Sequence, residues 1–167
     1  MQTSIPHPQI LFIDGLPGSG KSMAAEAVGG YISNSRVFLE SAPDHPLLVA
    51  TPDRMGAAFA DIHEMHSGDS FAAAALGRLE SFLRSAGCDV LYVFESHPIQ
   101  STVPVLFQLD ASQTKILQFW SDFQDRLAVV QPRLIYFQES NPLQAVKHIA
   151  RMQIGRASCR ERVCLYV

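Results

Sequence analysis

The 167-residue sequence predicts an α/β fold, a parallel sheet with helices on both faces, in one principal domain. Three observations carry that expectation. Short apolar runs suited to buried parallel strands alternate with longer stretches of helical periodicity. The composition, 47% apolar and 17% charged, is that of a globular chain and not of a disordered one. The first apolar run ends in a glycine-rich loop that opens a helix, as in a strand–helix–strand unit. A chain of this size buries roughly 70% of its unfolded surface, enough for an unaided core.

Residues 9–14, QILFID, form a short apolar run that ends at Gly15 and reads as a buried strand. Residues 22–28 are alanine-rich and helix-prone, and Gly29-Gly30 is expected to weaken or end that helix. Residues 36–40 read as a second strand, and residues 41–52, with three prolines, as a loop. Met55, Phe59, Ile62 and Met65 recur at helical spacing, as do Phe71, Ala75, Leu79, Phe82, Leu83 and Ala86, until Gly87 stops the second helix. Residues 89–95 give a third strand. Residues 98–109 read as a loop followed by a helical turn. Ile116, Phe119, Trp120, Phe123, Leu127 and Val130 mark a long amphipathic helix, and Pro132 opens a fourth strand over residues 133–137. Leu143, Val146 and Ile149 mark one more helix.

The stretch GLPGSGKS, residues 15–22, fits the phosphate-binding loop pattern, with Gly15, Gly20, Lys21 and Ser22 at the defining positions and Gly18 and Ser19 between them. Glycines let backbone N–H groups curl around a phosphate without Cβ clashes. The helix that follows presents unpaired N–H groups and a positive dipole end to the same anion. Lys21 is expected to reach the β/γ-phosphates of ATP, and Ser22 to offer its hydroxyl to Mg²⁺.

With this loop at its N-terminus and Glu95 closing the third strand, the chain resembles P-loop kinases of the nucleoside-monophosphate kinase class. Thymidylate-kinase-like proteins are the nearest likeness, over about residues 9 to 153. The resemblance implies a three-layer P-loop kinase-like fold with strand order 2-3-1-4 and a fifth strand beyond the fourth. It also implies an ATP- and magnesium-dependent phosphotransferase acting on a small acceptor such as a nucleoside, nucleotide or other metabolite. Glu95 stands where the family carries Asp-Arg at the end of strand three, and so inherits a role in organising magnesium and the acceptor. Gln100 loosely matches a base-contacting glutamine, and Glu40 an acidic residue near the acceptor. Arg151 falls where an arginine-containing lid begins. His97 and Pro98 depart from the pattern. The family's acceptor-binding arginine has no equivalent at its usual distance, Arg78 lying too close in sequence to Glu95, a departure that argues against thymidylate as the acceptor.

A nucleotide-binding switch or regulatory ATPase, using the same loop without an acceptor, is the alternative. No Asn-Lys-x-Asp motif marks a GTPase, and no Leu-Ser-Gly-Gly-Gln signature marks a transporter ATPase. His63 and His66 are three apart with no third ligand evident, so zinc is not expected. His97 reads as a solvated loop histidine, Arg133 as a strand-edge charge, Cys88 as structural, and Trp120 as core or acceptor-cleft lining. A net charge of −3 argues against a nucleic-acid partner. No apolar run reaches the roughly 18 residues of a membrane helix, and no secretory signal opens the chain.

Residues 154–163, IGRASCRERV, resemble the translation of a short-read sequencing adapter, the match beginning at Gln153. The expectation is a kinase-like domain over residues 1–153, interrupted before its C-terminal end, followed by a non-native tail over residues 154–167. That tail holds three arginines and one glutamate, so without it the net charge moves from −3 to −5. Cys159 and Cys164 go with it. Cys88 alone makes no disulfide framework, which fits a reducing cytoplasm.

Overall fold

The structure, a computed structural model, describes residues 8–49, 67–144 and 147. In chain order the elements are β1 (Gln9–Gly15), α1 (Lys21–Tyr31), β2 (Ser35–Phe38), α2 (Gly68–Ser85), β3 (Leu91–Glu95), α3 (Thr102–Gln108), α4 (Gln113–Leu127) and β4 (Arg133–Phe137). A single 3-10 turn, Ala128–Val130, links α4 to the approach to β4. The strands form one parallel sheet of order β2-β3-β1-β4, the order that the resemblance implies. Among the described residues no helix is long and apolar enough to cross a membrane.

Alternation along the two central strands sorts their side chains into two apolar layers. Ile10 and Phe12 of β1, with Tyr92 and Phe94 of β3, face α2 and α4, where they meet Phe71, Leu79, Phe82, Phe119, Phe123 and Leu127. Ile13 and Val93 face the other way and pack with Ala25 of α1. Helices therefore cover both faces, and the central strands read as near-continuous apolar runs because neither face meets water. Phe94 is fully buried and its ring lies 5.1–5.6 Å from those of Phe12, Phe38 and Phe82. Removing such a side chain from water contributes about 1.5–3 kcal/mol.

The two long helices behind this layer begin on serine caps. Ser67 Oγ accepts from the Ser70 amide, and Ser112 Oγ from the Lys115 amide. Each cap is worth about 1 kcal/mol.

Helix α1 differs from expectation. It runs through Gly29 and Gly30 to Tyr31. A Cβ on Gly29 would lie 2.5 Å from Val37 Cγ2, so this glycine lets the helix approach β2 closely instead of ending the helix. Strand β2 is also shorter than expected, ending at Phe38 and leaving Glu40 in the turn beyond it. The helix expected around Met55–Met65, with His63 and His66, lies outside the described residues, as does all of the expected tail. Strand β4 stands at the sheet edge with Leu134, Ile135 and Tyr136 exposed.

Candidate functional site

The loop between β1 and α1 turns on glycines at positive φ: Gly15 at +146°, Gly18 at +75° and Gly20 at +93°. Gly15 also needs its missing side chain for space. A Cβ there would sit 2.7 Å from the Phe137 carbonyl oxygen at the end of β4, closer than real Cβ contacts allow. Gly20 caps α1, so the helix opens toward the loop with its first amides unpaired. The Ser19 hydroxyl is buried and has no hydrogen-bond partner among the described residues.

Lys21 opens the helix but its side chain folds back over the loop. Nζ donates to the Leu16 carbonyl at 2.9 Å and lies 4.0 Å from Glu95 Oε1. Both residues are buried. Parallel pairing explains the meeting: Glu95 is opposite Ile13 in register, so β3 ends beside the point where β1 enters the loop. Lys21 and Glu95 thus converge at the C-terminal edge of the sheet. Ser22 is exposed at the same helix end.

Glu95 is held from two directions. Its Oε2 accepts from the Glu40 backbone amide at 2.9 Å, and its Oε1 accepts from the Ser96 hydroxyl. The first bond draws the turn after β2 to the site and brings Glu40 with it. Burial raises the Glu40 carboxyl pKa, and the neighbouring Glu95 carboxylate raises it further. Gln100 joins through Ser96, whose hydroxyl lies 3.4 Å from Gln100 Oε1. Ser96 itself has φ +61°, unusual for a residue other than glycine. The His97–Pro98 peptide is cis. The fold therefore gathers Gly15–Ser22, Glu40, Glu95 and Gln100. Arg151 lies outside the described residues.

Asp14, which sequence reasoning passed over, is fully buried beneath the loop. Its Oδ1 accepts from the Gly15 amide at 2.7 Å and its Oδ2 from the Ile99 amide at 3.0 Å. Burial raises its pKa, and the amides of Gly15, Ile99 and Gln100, followed by the Lys21 charge, oppose the rise. The available signal was a lone carboxylate closing an apolar strand just before the loop. An unpaired charge there would be costly, so its partners had to come from elsewhere.

His97 is not the solvated loop residue that was expected. Its ring is buried 5.7 Å from that of His45, with the rings of Phe12 and Phe123 around it, and Phe94 packs on His45. Burial pushes the His45 pKa down to about 4, and burial together with the charge of His45 pushes that of His97 down to about 3. His45 Nδ1 accepts from the amides of Leu47 and Leu48, both at 3.2 Å, which ties the loop after β2 to the ring. The two histidines thus form an apolar-packed wall beside Glu95. Trp120 is half-buried and stacks on Phe123. It lines an apolar cavity of about 140 Å³ with Phe12, Ile99 and Leu134, and Glu40, Lys21, Glu95 and Gln100 are not among its walls. Cys88, read as structural, is exposed.

No family model matches the chain, and no curated protein matches it. Solved structures to which the chain is similar include two thymidylate kinases. One is a thymidylate kinase from Candida albicans, at 11% identity and a TM-score of 0.36, over 90% of this chain and 93% of that one. The other is a thymidylate kinase from Ehrlichia chaffeensis, at 11% identity and a TM-score of 0.36, over 90% of this chain and 100% of that one. The fold itself rests on the chain's own sheet, parallel and ordered β2-β3-β1-β4, with helices on both faces.

Proposed function

We propose that this chain is an ATP-dependent phosphotransferase that moves the γ-phosphoryl group of Mg–ATP to a small acceptor, a nucleoside or nucleotide being the class the resemblance favours. The observation that carries this reading is the meeting of Lys21 and Glu95, 4.0 Å apart, over a glycine loop at the C-terminal edge of a parallel sheet. Open α/β sheets bind their ligands at that edge.

The residues present suit the nucleotide and its metal. The loop offers a buried, unpartnered Ser19 hydroxyl, and a Cβ built on Gly20 meets nothing within 4 Å. Ser22 and Glu95 are the residues that would hold magnesium, which when bound neutralises charge on the phosphate oxygens. Lys21 exchanges the Leu16 carbonyl for the β/γ-phosphates, where its charge stabilises the transferring group. The loop amides and the α1 N-terminus hold the same phosphates in place. Glu40 and Gln100 contact the acceptor. In the transfer, the bond from γ-phosphorus to the bridging oxygen breaks and a bond to the acceptor oxygen forms. ADP leaves with the bridging oxygen, and where the acceptor is a hydroxyl its proton passes to a carboxylate, a task that Glu40, with its raised pKa, suits. Arg151 completes the proposal as a charge-stabilising lid residue.

Calorimetric titration with Mg–ATP tests the first half. The natural chain should bind, and Lys21→Ala should weaken binding by about tenfold to a hundredfold, the worth of one charge-assisted contact. Equal affinity in the variant would remove the loop from the site. Incubation with γ-labelled ATP and a panel of nucleosides and nucleotides tests the second half. Binding together with hydrolysis to water alone would overturn phosphotransfer in favour of a regulatory ATPase.

A further inference from the structure

Asp14 joins two segments that the sequence keeps far apart. One carboxylate oxygen accepts from Gly15, the first residue of the phosphate-binding loop, and the other from Ile99, in the turn after β3. That turn carries Ser96 and Gln100, and Ser96 in turn donates to Glu95. A continuous chain of hydrogen bonds thus runs from the loop entrance through Asp14 to the turn that presents Gln100, and from Ser96 to the carboxylate beside Lys21.

The joint is stiff at the loop end. Gly15 sits at φ +146° and pairs with Phe137 of β4 in parallel register, which ties the loop entrance to the sheet. It is dry at the centre, because Asp14 is fully buried and water cannot replace either amide partner. A change in the order of the loop is therefore passed to the turn rather than absorbed by solvent.

We propose that Asp14 is a positioning residue that couples occupation of the phosphate-binding loop to the order of the Ser96–Ser101 turn, so that Mg–ATP binding sets the acceptor side of the site. This rests on the reading of the loop as a Mg–ATP site. Asp14 touches neither nucleotide nor acceptor. It acts through the Gly15 and Ile99 amides, and its charge lies within reach of Lys21.

Hydrogen–deuterium exchange on the full chain, with and without Mg–ATP, tests the coupling. In the natural protein Mg–ATP should slow exchange at the loop amides and also at Ile99, by about tenfold or more at the latter, the range spanned by one buried hydrogen bond. In Asp14→Asn, where an amide NH₂ faces one of the two N–H donors, the loop should still be protected while the nucleotide-dependent protection at Ile99 is lost. A residue that served stability alone would raise Ile99 exchange equally in both states and leave the increment intact, which would overturn the proposal. The natural chain supplies a second check should that variant not fold. If Mg–ATP protects Gly18–Ser22 and leaves Ile99 unchanged, the coupling does not exist. Absence of Mg–ATP binding in calorimetry is a separate result, which overturns the loop reading and the coupling built on it.

Discussion

The Lys21 ammonium lies 4.0 Å from Glu95 Oε1, with both side chains buried, yet its hydrogen bond goes to the Leu16 carbonyl inside its own loop. The lysine is thus held over the loop by two oxygen partners. The Glu95 carboxylate is already committed to the Glu40 amide and the Ser96 hydroxyl. The pair is an arrangement of fixed groups at a strand end rather than a surface ion pair, and its loss of either member has direct consequences.

Glu95→Gln keeps an acceptor for the Glu40 amide but removes the charge. Magnesium should then be needed at higher concentration for ATP to bind, by about tenfold, the scale on which metal-site carboxylate changes act. Titrating magnesium at fixed ATP, with calorimetric or fluorescence detection, measures this. An unchanged magnesium requirement would remove Glu95 from the metal's surroundings.

Gly15→Ala should cost stability as well as nucleotide affinity. The added Cβ meets the Phe137 carbonyl oxygen at 2.7 Å, and the backbone stands at φ +146°. Strain of this kind costs about 1–3 kcal/mol. The denaturant midpoint should fall, whereas Gly77→Ala, at a helix position where a Cβ meets nothing within 4 Å, should not lower it. Equal midpoints for the two variants would show that the close approach at Gly15 is relaxed in solution.

Acid should destabilise the fold through His45 and His97. Both pKa values are lowered in the folded state, to about 4 and about 3, from the ordinary 6.5. A base with a depressed folded pKa leaves stability complete above its unfolded pKa and erodes it as pH falls below 6.5. Each histidine should cost about 2 kcal/mol at pH 5. The raised carboxyls of Asp14 and Glu40 act in the opposite sense, since a proton is easier to take up in the folded state. Comparing the natural chain with His97→Gln separates the two: the variant's denaturation midpoint should change less between pH 7 and pH 5. A His97→Gln variant whose midpoint changes as much as that of the natural chain would contradict the buried neutral pair.

Deleting residues 154–167 should leave the unfolding midpoint almost unchanged. The segment carries three arginines and no periodic apolar pattern that continues Leu143, Val146 and Ile149. A clear loss of stability on deletion would show that these residues belong to the domain.

The strands were legible in the sequence because parallel α/β sheets write their central strands as plain apolar runs, and QILFID and LYVF are such runs, while their order came only from the resemblance to P-loop kinases. The loop was legible because phosphate binding demands glycines at fixed spacing. Helix α1 was misjudged at Gly29 because local propensity makes a glycine a helix breaker, while the deciding fact was a methyl of Val37 on another strand. His97 was misjudged for a similar reason. A histidine next to a proline reads as loop, and only the fold places His45 and Phe123 around it. Asp14 escaped because its partners are one residue and 85 residues away, and the distant one is a backbone amide that no side-chain pattern announces.

The contact between Gly15 and Phe137 also bears on how the protein is made. The loop is encoded early, at residues 15–22, but the wall against which it bends is the last strand described, and its carbonyl at Phe137 is more than a hundred residues downstream. On a ribosome the glycine loop would therefore emerge long before its backing. Under the proposed function, nucleotide binding would be a late event in synthesis, following the docking of β4, with a long interval in which the motif is present and the site is not.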